Sequence, residues 1–138
     1  MVILLVLSRK QSVKKNAFYA NNIGYNSQRC PHSNNHITTH AEIDALMKIE
    51  NLIRCGKIKS KNVDLYVIRI DKHGQLKNSA PCKHCTIELK RSKLLNIKNI
   101  YFSNNNDEIE CIKFTEWINS QKYKISTGYL RYNNKNKH

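Results

Sequence analysis

The sequence predicts an α/β protein in which residues 1–138 form a single domain. Runs rich in β-forming residues predict strands at Val2–Ser8, Val63–Ile70 and Ile97–Ser103. Between the first two runs, apolar residues recur at helical spacing from 43 to 53, which predicts an amphipathic helix. A chain of 138 residues is long enough to build one substantial core.

The first part of the chain predicts a hairpin followed by a polar loop. A basic turn at Arg9–Asn16 separates the first strand from a second strand at Ala17–Tyr25. Polar residues dominate the next segment, Asn26–Thr38. We expect this loop to border the functional site, because surface loops held by a scaffold often carry binding residues.

The first predicted helix covers His40–Arg54. Gly56 ends it as the C′ residue, a position that glycine favours. Its apolar residues at helical spacing are assigned to the core rather than to a cofactor surface: Ile43, Leu46, Met47, Ile49 and Ile53.

The second predicted helix covers Cys82–Leu95, after a strand at Val63–Ile70 and a turn at Asp71–Gly74. Pro81 stands directly before the helix, a place where proline is favoured. The residues assigned to its core face are Ile87, Leu94 and Leu95.

The last predicted elements are two strands, a short helix and a tail. Their ranges are Ile97–Ser103, Glu108–Phe114, Thr115–Gln121 and residues 124–138. The turn cluster Asn104–Asp107 is too short for a parallel crossover, which needs a dozen or more residues, so the two strands should be antiparallel. Trp117 is assigned to the core. The tail is expected either to cover the substrate pocket or to be partly disordered.

Two short motifs predict a zinc site. His40-Ala41-Glu42 and Pro81-Cys82-Lys83-His84-Cys85 together match H-x-E followed by P-C-x-x-C, the pattern of zinc-dependent nucleobase deaminases. Catalytic zinc takes three protein ligands and keeps a fourth position for water, so His40, Cys82 and Cys85 are the expected ligands. Glu42 is then free to move protons as a general acid and base.

Each motif also has a simpler interpretation. Thr39 and Glu42 have the spacing of a capping box, with Thr39 as the N-cap and Glu42 at N3. Cys82 and Cys85 could be a redox pair, or ligands of a structural zinc that a fourth protein ligand closes. The candidates for that fourth ligand are Cys30, Cys55, Cys111, His32, His36 and His84. A second zinc site at Cys30, His32 and His36 is a further alternative.

The motifs resemble those of the cytidine deaminase superfamily over most of the chain, from about residue 2 to the 110s. The segments "THAEIDAL" and "SAPCKHC" look like the starts of the family's two zinc-binding helices, and "GYN" sits where the family often has an asparagine that contacts the sugar. The resemblance implies a three-layer cytidine deaminase-like fold with a mixed five-stranded sheet whose last two strands form an antiparallel hairpin. Many members begin with a helix that covers one sheet face, whereas here Met1 leads directly into a predicted strand.

The resemblance also implies roles for individual residues. His40, Cys82 and Cys85 would bind Zn2+, and Glu42 would carry protons. Asn26 would contact ribose, and Ala41 and Ala80 would lie near the base, largely through backbone groups. Relatives are commonly dimers or tetramers, so a homo-oligomer is expected.

The expected antiparallel hairpin favours a small substrate, because free cytidine deaminases resemble the hairpin division of the superfamily. The chain is therefore predicted to be a hydrolase that converts cytosine to uracil in a free nucleoside or nucleotide, an activity of nucleotide metabolism. The first alternative is a polynucleotide-editing deaminase acting on DNA or RNA. The second is a non-catalytic structural zinc module.

The net charge of +14 is compatible with nucleic-acid binding. Lysine (18) far outnumbers arginine (6), however, so A/T-rich codon usage explains the composition equally well. The basic residues cluster only at Lys83, Lys90, Arg91 and Lys93.

Five cysteines, two of them in C-x-x-C, indicate a reducing compartment, the cytoplasm or the nucleus. The first apolar run is too short to cross a membrane, so no membrane partner is expected.

Overall fold

The structure is a computed structural model that describes residues 2–8, 17–18, 24–25, 27–28, 38–59 and 61–120. The predicted turn at Arg9–Asn16 and the predicted tail, residues 124–138, lie outside these ranges. The described part of the chain has a mixed α/β architecture. No helix in it combines the length and hydrophobicity that a membrane crossing requires.

A seven-stranded mixed sheet forms the centre of the described chain. Its strands are β1 (Val2–Ser8), β2 (Ala17–Phe18), β3 (Gly24–Tyr25), β6 (Asn62–Ile70), β7 (Leu76–Lys77), β8 (Asn96–Ser103) and β9 (Ile109–Lys113). The strand order is β2-β1-β6-β8-β9, with β3 also paired to β1 and β7 paired to β6. The described residues therefore do not confirm a sheet of five strands. Of the predicted second strand, only the two ends are described, as β2 and β3, and β7 was not predicted.

The first and last predicted strand pairings are antiparallel. β1 pairs with β2, β3 and β6 in antiparallel register, whereas β6 and β8 run parallel. β8 and β9 form the expected antiparallel hairpin, with Phe102 opposite Glu110. Asn104 holds the turn, because its backbone N–H donates to the carbonyl of Glu108 at 2.9 Å. Asp107 completes it with a φ of 63°.

An irregularity in register distinguishes the first half of β8. Val63 pairs with Ile97, but Leu65 pairs with Ile100, so β8 carries one residue more than β6 over this stretch. Such an extra residue reverses the alternation of side chains beyond it. As a result, Ile97 and Ile100 are both buried in the core.

Helix α1 (Ala41–Arg54) ends as the sequence predicts. Gly56 has a φ of +70°, and its N–H donates to Ile53 at 3.0 Å while the N–H of Lys57 donates to Leu52 at 2.9 Å. This pair of bonds is a Schellman motif. Ala45 and Ile49 face the core, but Met47 is 47% exposed. Its assignment to the core was wrong, because the buried stripe on α1 is narrower than the apolar stripe of the sequence.

Helix α2 (Lys83–Arg91) is shorter than predicted and ends four residues before Leu95. The Ser92 hydroxyl donates to Oε1 of Glu50 at 2.6 Å and accepts from the Leu95 N–H at 3.3 Å. These bonds compete with helix continuation. Leu89 is buried, whereas Ile87 is 38% exposed, so the expected core position of Ile87 was also wrong.

Helix α3 (Phe114–Ser120) closes the described chain. Trp117 is buried as predicted, and its ring lies 5.6 Å from that of Phe102. Side chains from all three helices share one core cluster with Leu65, Val67 and Ile100 of the sheet. The described helices therefore pack on the same face of the sheet.

Candidate metal centre

The N-termini of α1 and α2 meet beside one end of the sheet. His40 is the N-cap of α1, and its carbonyl accepts from the N–H groups of Ile43 and Asp44, both at 3.1 Å. Cys82 is the N-cap of α2, with Pro81 buried directly before it. Both N-cap residues have extended backbones, and the two motifs of the sequence are thereby brought to one point.

His40, Cys82 and Cys85 form a compact group of metal-ligating atoms. The Nδ1 atom of His40 lies 3.6 Å from Sγ of Cys82 and 3.3 Å from Sγ of Cys85. All three ligand atoms lie within 4.8 Å of one another. Typical Zn–S and Zn–N bonds in a tetrahedral site place such nitrogen and sulfur atoms about 3.6 Å apart. The residues present therefore fit a metal ion that takes one imidazole and two thiolates.

The surroundings of the Cys82 thiol favour its negatively charged form. A hydrogen bond from the Cys85 thiol, aided by the neighbouring His40, lowers the pKa of Cys82 to about 4. The Cys85 N–H also points at this sulfur at 3.5 Å. The hydrogen bond with Cys82 in turn raises the pKa of His40. The hydrogen bond between Cys85 and Cys82, together with burial, raises the pKa of the Cys85 thiol. A thiolate between a helix N-terminus and an imidazole is the form that binds metal.

Glu42 lies on the first turn of α1, next to this group. Its side chain is only 6% exposed, and burial raises the pKa of its carboxyl. The carboxyl contacts the Cys85 thiol, and its own backbone N–H donates to it. The capping-box interpretation was wrong: His40, not Thr39, is the N-cap, and no side-chain bond caps the helix there.

No fourth protein ligand completes the group among the described residues. His84 is exposed and is not part of it, and Cys55 and Cys111 are exposed elsewhere. The other three candidates, Cys30, His32 and His36, lie outside the described residues. Among the described residues the donor set thus has three members, the number of protein ligands that catalytic zinc takes.

The segment before Cys82 is attached to two strands through a pair of serines. The Ser79 hydroxyl donates to the Val67 carbonyl and accepts from the Ser103 N–H at 2.8 Å. The Ser79 N–H donates to the Ser103 carbonyl at 2.9 Å. Ser103 in turn donates its hydroxyl to the Lys77 carbonyl at 2.7 Å. Sequence reasoning missed both serines, and a polar residue at the end of a buried strand was the one available signal.

The structure describes two of the three residues that were expected to contact substrate. Ala41 is fully buried at the start of α1, and Ala80 is half-buried. The Ala80 N–H donates to Oδ1 of Asn78 at 3.0 Å, so the carbonyl of Ala80 is the group left for a ligand. Asn26 lies outside the described residues. Its neighbour Ser27 pairs with Thr39 in a small sheet of β4 (Ser27–Gln28) and β5 (Thr38–Thr39), next to His40.

Comparison of the chain with protein-family models, with characterised proteins and with solved structures gives no match. The assignment of a function therefore depends on the geometry of the site itself.

Proposed function

We propose that this protein is a zinc-dependent hydrolytic deaminase that converts cytosine to uracil in a free nucleoside or nucleotide. The observation that carries the proposal is the approach of one imidazole nitrogen and two cysteine sulfurs to within 4.8 Å, with a buried carboxyl beside them. Three ligands of this kind with an adjacent glutamate are the constellation of zinc deaminases. The order of the long strands, β1-β6-β8-β9, is compatible with a cytidine deaminase-like fold.

Deamination replaces the exocyclic amine of cytosine with oxygen: one water molecule is consumed, and ammonia leaves. When bound, zinc would supply a Lewis-acidic centre that lowers the pKa of a water molecule to about 7. The chain supplies the proton transfers. The Glu42 carboxylate accepts one proton from the attacking water and passes it to the ring nitrogen. It then takes the second proton of that water and delivers it to the amine, which leaves as ammonia.

The environment of Glu42 suits this work. Burial raises the pKa of its carboxyl, which brings proton uptake and release closer to neutral pH. The first turn of α1 holds the carboxyl against Cys85, so its position depends on the helix and not on a flexible loop. The N-terminal amides of α2 favour negative charge developing on the base beside Cys82.

The choice of a small substrate depends on the hairpin of β8 and β9. The family resemblance associates an antiparallel last strand with deaminases of free nucleosides and nucleotides, and these two strands are antiparallel. The described residues contain the sheet and helices on one of its faces, which is two of the three layers that the resemblance implies.

An ammonia-release assay with zinc-loaded protein tests the proposal. The substrates are cytidine, deoxycytidine, their monophosphates, guanine, adenosine and single-stranded oligonucleotides. We expect Glu42→Gln to keep its zinc and to lose activity by about 100- to 10,000-fold, the usual contribution of a general acid and base. Glu116→Gln is the matched control, because its side chain is 60% exposed and lies on α3.

Three outcomes would contradict the proposal, each in a different way. Unchanged activity in Glu42→Gln with zinc retained would rule out the proton-transfer role. Activity on oligonucleotides alone would make the protein a polynucleotide-editing enzyme. Bound zinc with no activity on any base would favour a structural zinc module.

A further inference from the structure

The acidic residues are confined to the central part of the chain. All ten Asp and Glu residues lie between Glu42 and Glu116, while residues 1–40 and 121–138 contain five Lys or Arg each and no acidic residue. Every acidic side chain therefore belongs to the described residues. A lysine without an ion pair among them has no carboxylate side chain elsewhere in the chain to neutralise it.

Five such lysines lie where α1 and α2 end, away from the metal-ligating group at the helix starts. We call this region the basic end: Lys57, Lys59, Lys61, Lys93 and Lys98. All five are exposed, and α1 alone separates the two regions by about 21 Å. The carboxylates nearby are already engaged: Glu50 pairs with Arg54, and Glu88 pairs with Arg91.

A groove of about 550 Å³ opens at the basic end. Its lining comes from β6, β8, β9 and the start of α3: Asn62, Asn96, Ile97, Lys98, Asn99, Lys113 and Thr115. Lys98 and Lys113 lie on neighbouring strands, since Asn99 is the register partner of Lys113. Lys113 has Glu116 at 3.7 Å, with both side chains well exposed.

A ladder of cross-strand pairs continues from the groove along β6 and β8. Nδ2 of Asn96 donates to Oδ1 of Asn62 at 2.7 Å, and Nδ2 of Asn99 donates to Oδ1 of Asp64 at 2.9 Å. The next pair is aromatic: the rings of Tyr66 and Tyr101 stack at 4.2 Å with planes 2° apart.

The ladder occupies the sheet face opposite the core cluster that the described helices share. On the β9 side of Tyr101 stands Cys111, its register partner, which is small and exposed. The groove and the stacked rings thus lie on one face of the sheet. Two lysines and asparagine amides are at one end and the tyrosines at the other, with the buried Asp64 between them.

We propose that this surface binds single-stranded nucleic acid, with phosphates held at Lys98 and Lys113 and a base stacked against Tyr101. Basic grooves that lead to aromatic rings are the usual means of binding single strands, because every base has a face that can stack. The asparagine amides add donors and acceptors for phosphate and sugar. This binding does not depend on the proposed deaminase activity, since the surface lies on the sheet face opposite the helices whose N-termini carry the metal-ligating group.

Fluorescence anisotropy with a labelled single-stranded oligonucleotide and the zinc-loaded full chain tests this inference. We expect Lys98→Gln with Lys113→Gln to weaken binding about tenfold at 0.1 M salt and to reduce the salt slope by about 1.4. Lys48→Gln with Lys72→Gln, a matched pair away from the groove, should bind like the wild type. Tyr101→Leu should weaken binding by about 5- to 100-fold, whereas Tyr101→Phe should stay within about twofold.

The result that overturns the inference is wild-type affinity in both the lysine pair and Tyr101→Leu, because the basic residues of 1–40 and 121–138 would then account for all binding. Equal or tighter binding to a duplex, or to phosphatidylserine vesicles, with no effect of Tyr101→Leu would also overturn it. Circular dichroism of each variant separates loss of folding from loss of contact. Glu42→Gln should bind the oligonucleotide like the wild type, so this assay and the deaminase assay can fail separately.

Discussion

The indole Nε1–H of Trp117 donates a hydrogen bond of 3.1 Å to the hydroxyl of Thr86, one residue after the proposed ligand Cys85. This bond connects α3 to α2 inside the core, and both residues are buried. Thr86 also donates its own hydroxyl to the Cys82 carbonyl at 3.0 Å. The packing of α3 is thereby coupled to the first turn of the helix that holds both thiols.

Removing this hydroxyl should destabilise the protein. Thr86→Val keeps the shape of the side chain but leaves the Trp117 N–H buried without its acceptor, which typically costs about 1–3 kcal/mol. Urea unfolding followed by the fluorescence of Trp117, the one tryptophan of the chain, measures the loss. Thr115→Val, at an exposed position, is the control, and an equal effect in both variants would argue against the role of this bond.

Cys82 and Cys85, the two proposed cysteine ligands, should differ from the exposed cysteines in an assay of bound zinc. Cys82→Ser and Cys85→Ser should each reduce bound zinc from about one equivalent to well below half, because each removes one of three ligands. Cys55→Ser and Cys111→Ser should retain full zinc, since both residues are exposed and stand apart from the group. Zinc per chain is measured by atomic spectrometry after dialysis. Equal retention in all four variants would exclude the proposed ligand set.

Ser79, which bonds Ser103 beside the site, should contribute measurably to the free energy of unfolding although its side chain is small. Ser79→Ala leaves the buried Ser103 N–H without the acceptor that it has at 2.8 Å, so we expect a loss of about 1–3 kcal/mol in the free energy of unfolding. Zinc affinity should fall as well, because Ser79 holds the segment that leads to Cys82. Ser120→Ala, at the end of α3 and outside the segment that leads to Cys82, should change zinc affinity little.

The tyrosine pair predicts an effect in alkaline solution. The hydrogen bond with Cys111, aided by burial and by Tyr66, raises the pKa of Tyr101 to about 12 from its ordinary value near 10. A raised pKa means that the neutral phenol is favoured by folding. Its contribution is fully present below about pH 10 and is lost as the pH rises through about 12.

Ultraviolet titration of tyrosinate, taken as the difference between wild type and Tyr101→Phe, measures this pKa. Cys111→Ala should return it toward the ordinary value. A difference titration centred near pH 10 in the wild type would show that the contact with Cys111 does not influence the phenol.

The metal-ligating group could be predicted from the sequence because short spacings determine it. Cys82 and Cys85 are separated by one helical turn, and His40 and Glu42 stand at one helix start, so each half is local. That the halves would meet follows from the pattern and from the two helix starts. The long strands β1, β6, β8 and β9 were also predicted within one or two residues, because their β-forming runs are uninterrupted.

Features that depend on side-chain neighbours could not be predicted in the same way. Met47 and Ile87 have the spacing of core residues but are exposed. Each helix has more apolar positions than its contact with the core can bury. The early end of α2 depends on Glu50 of another helix, which accepts from Ser92. The stacked tyrosines come from β6 and β8 and are 35 residues apart in sequence, so no short sequence motif predicts their contact.

The additional residue in β8 sets how this strand tolerates changes in length. Ile97 and Ile100 both reach the core only because the alternation is reversed between them. Deleting Lys98 would remove the extra residue, so that side chains would alternate regularly along the whole of β8. One of the two isoleucines would then point to the opposite face of the sheet. Over evolution, the residues between the two isoleucines should therefore change in identity far more readily than in number.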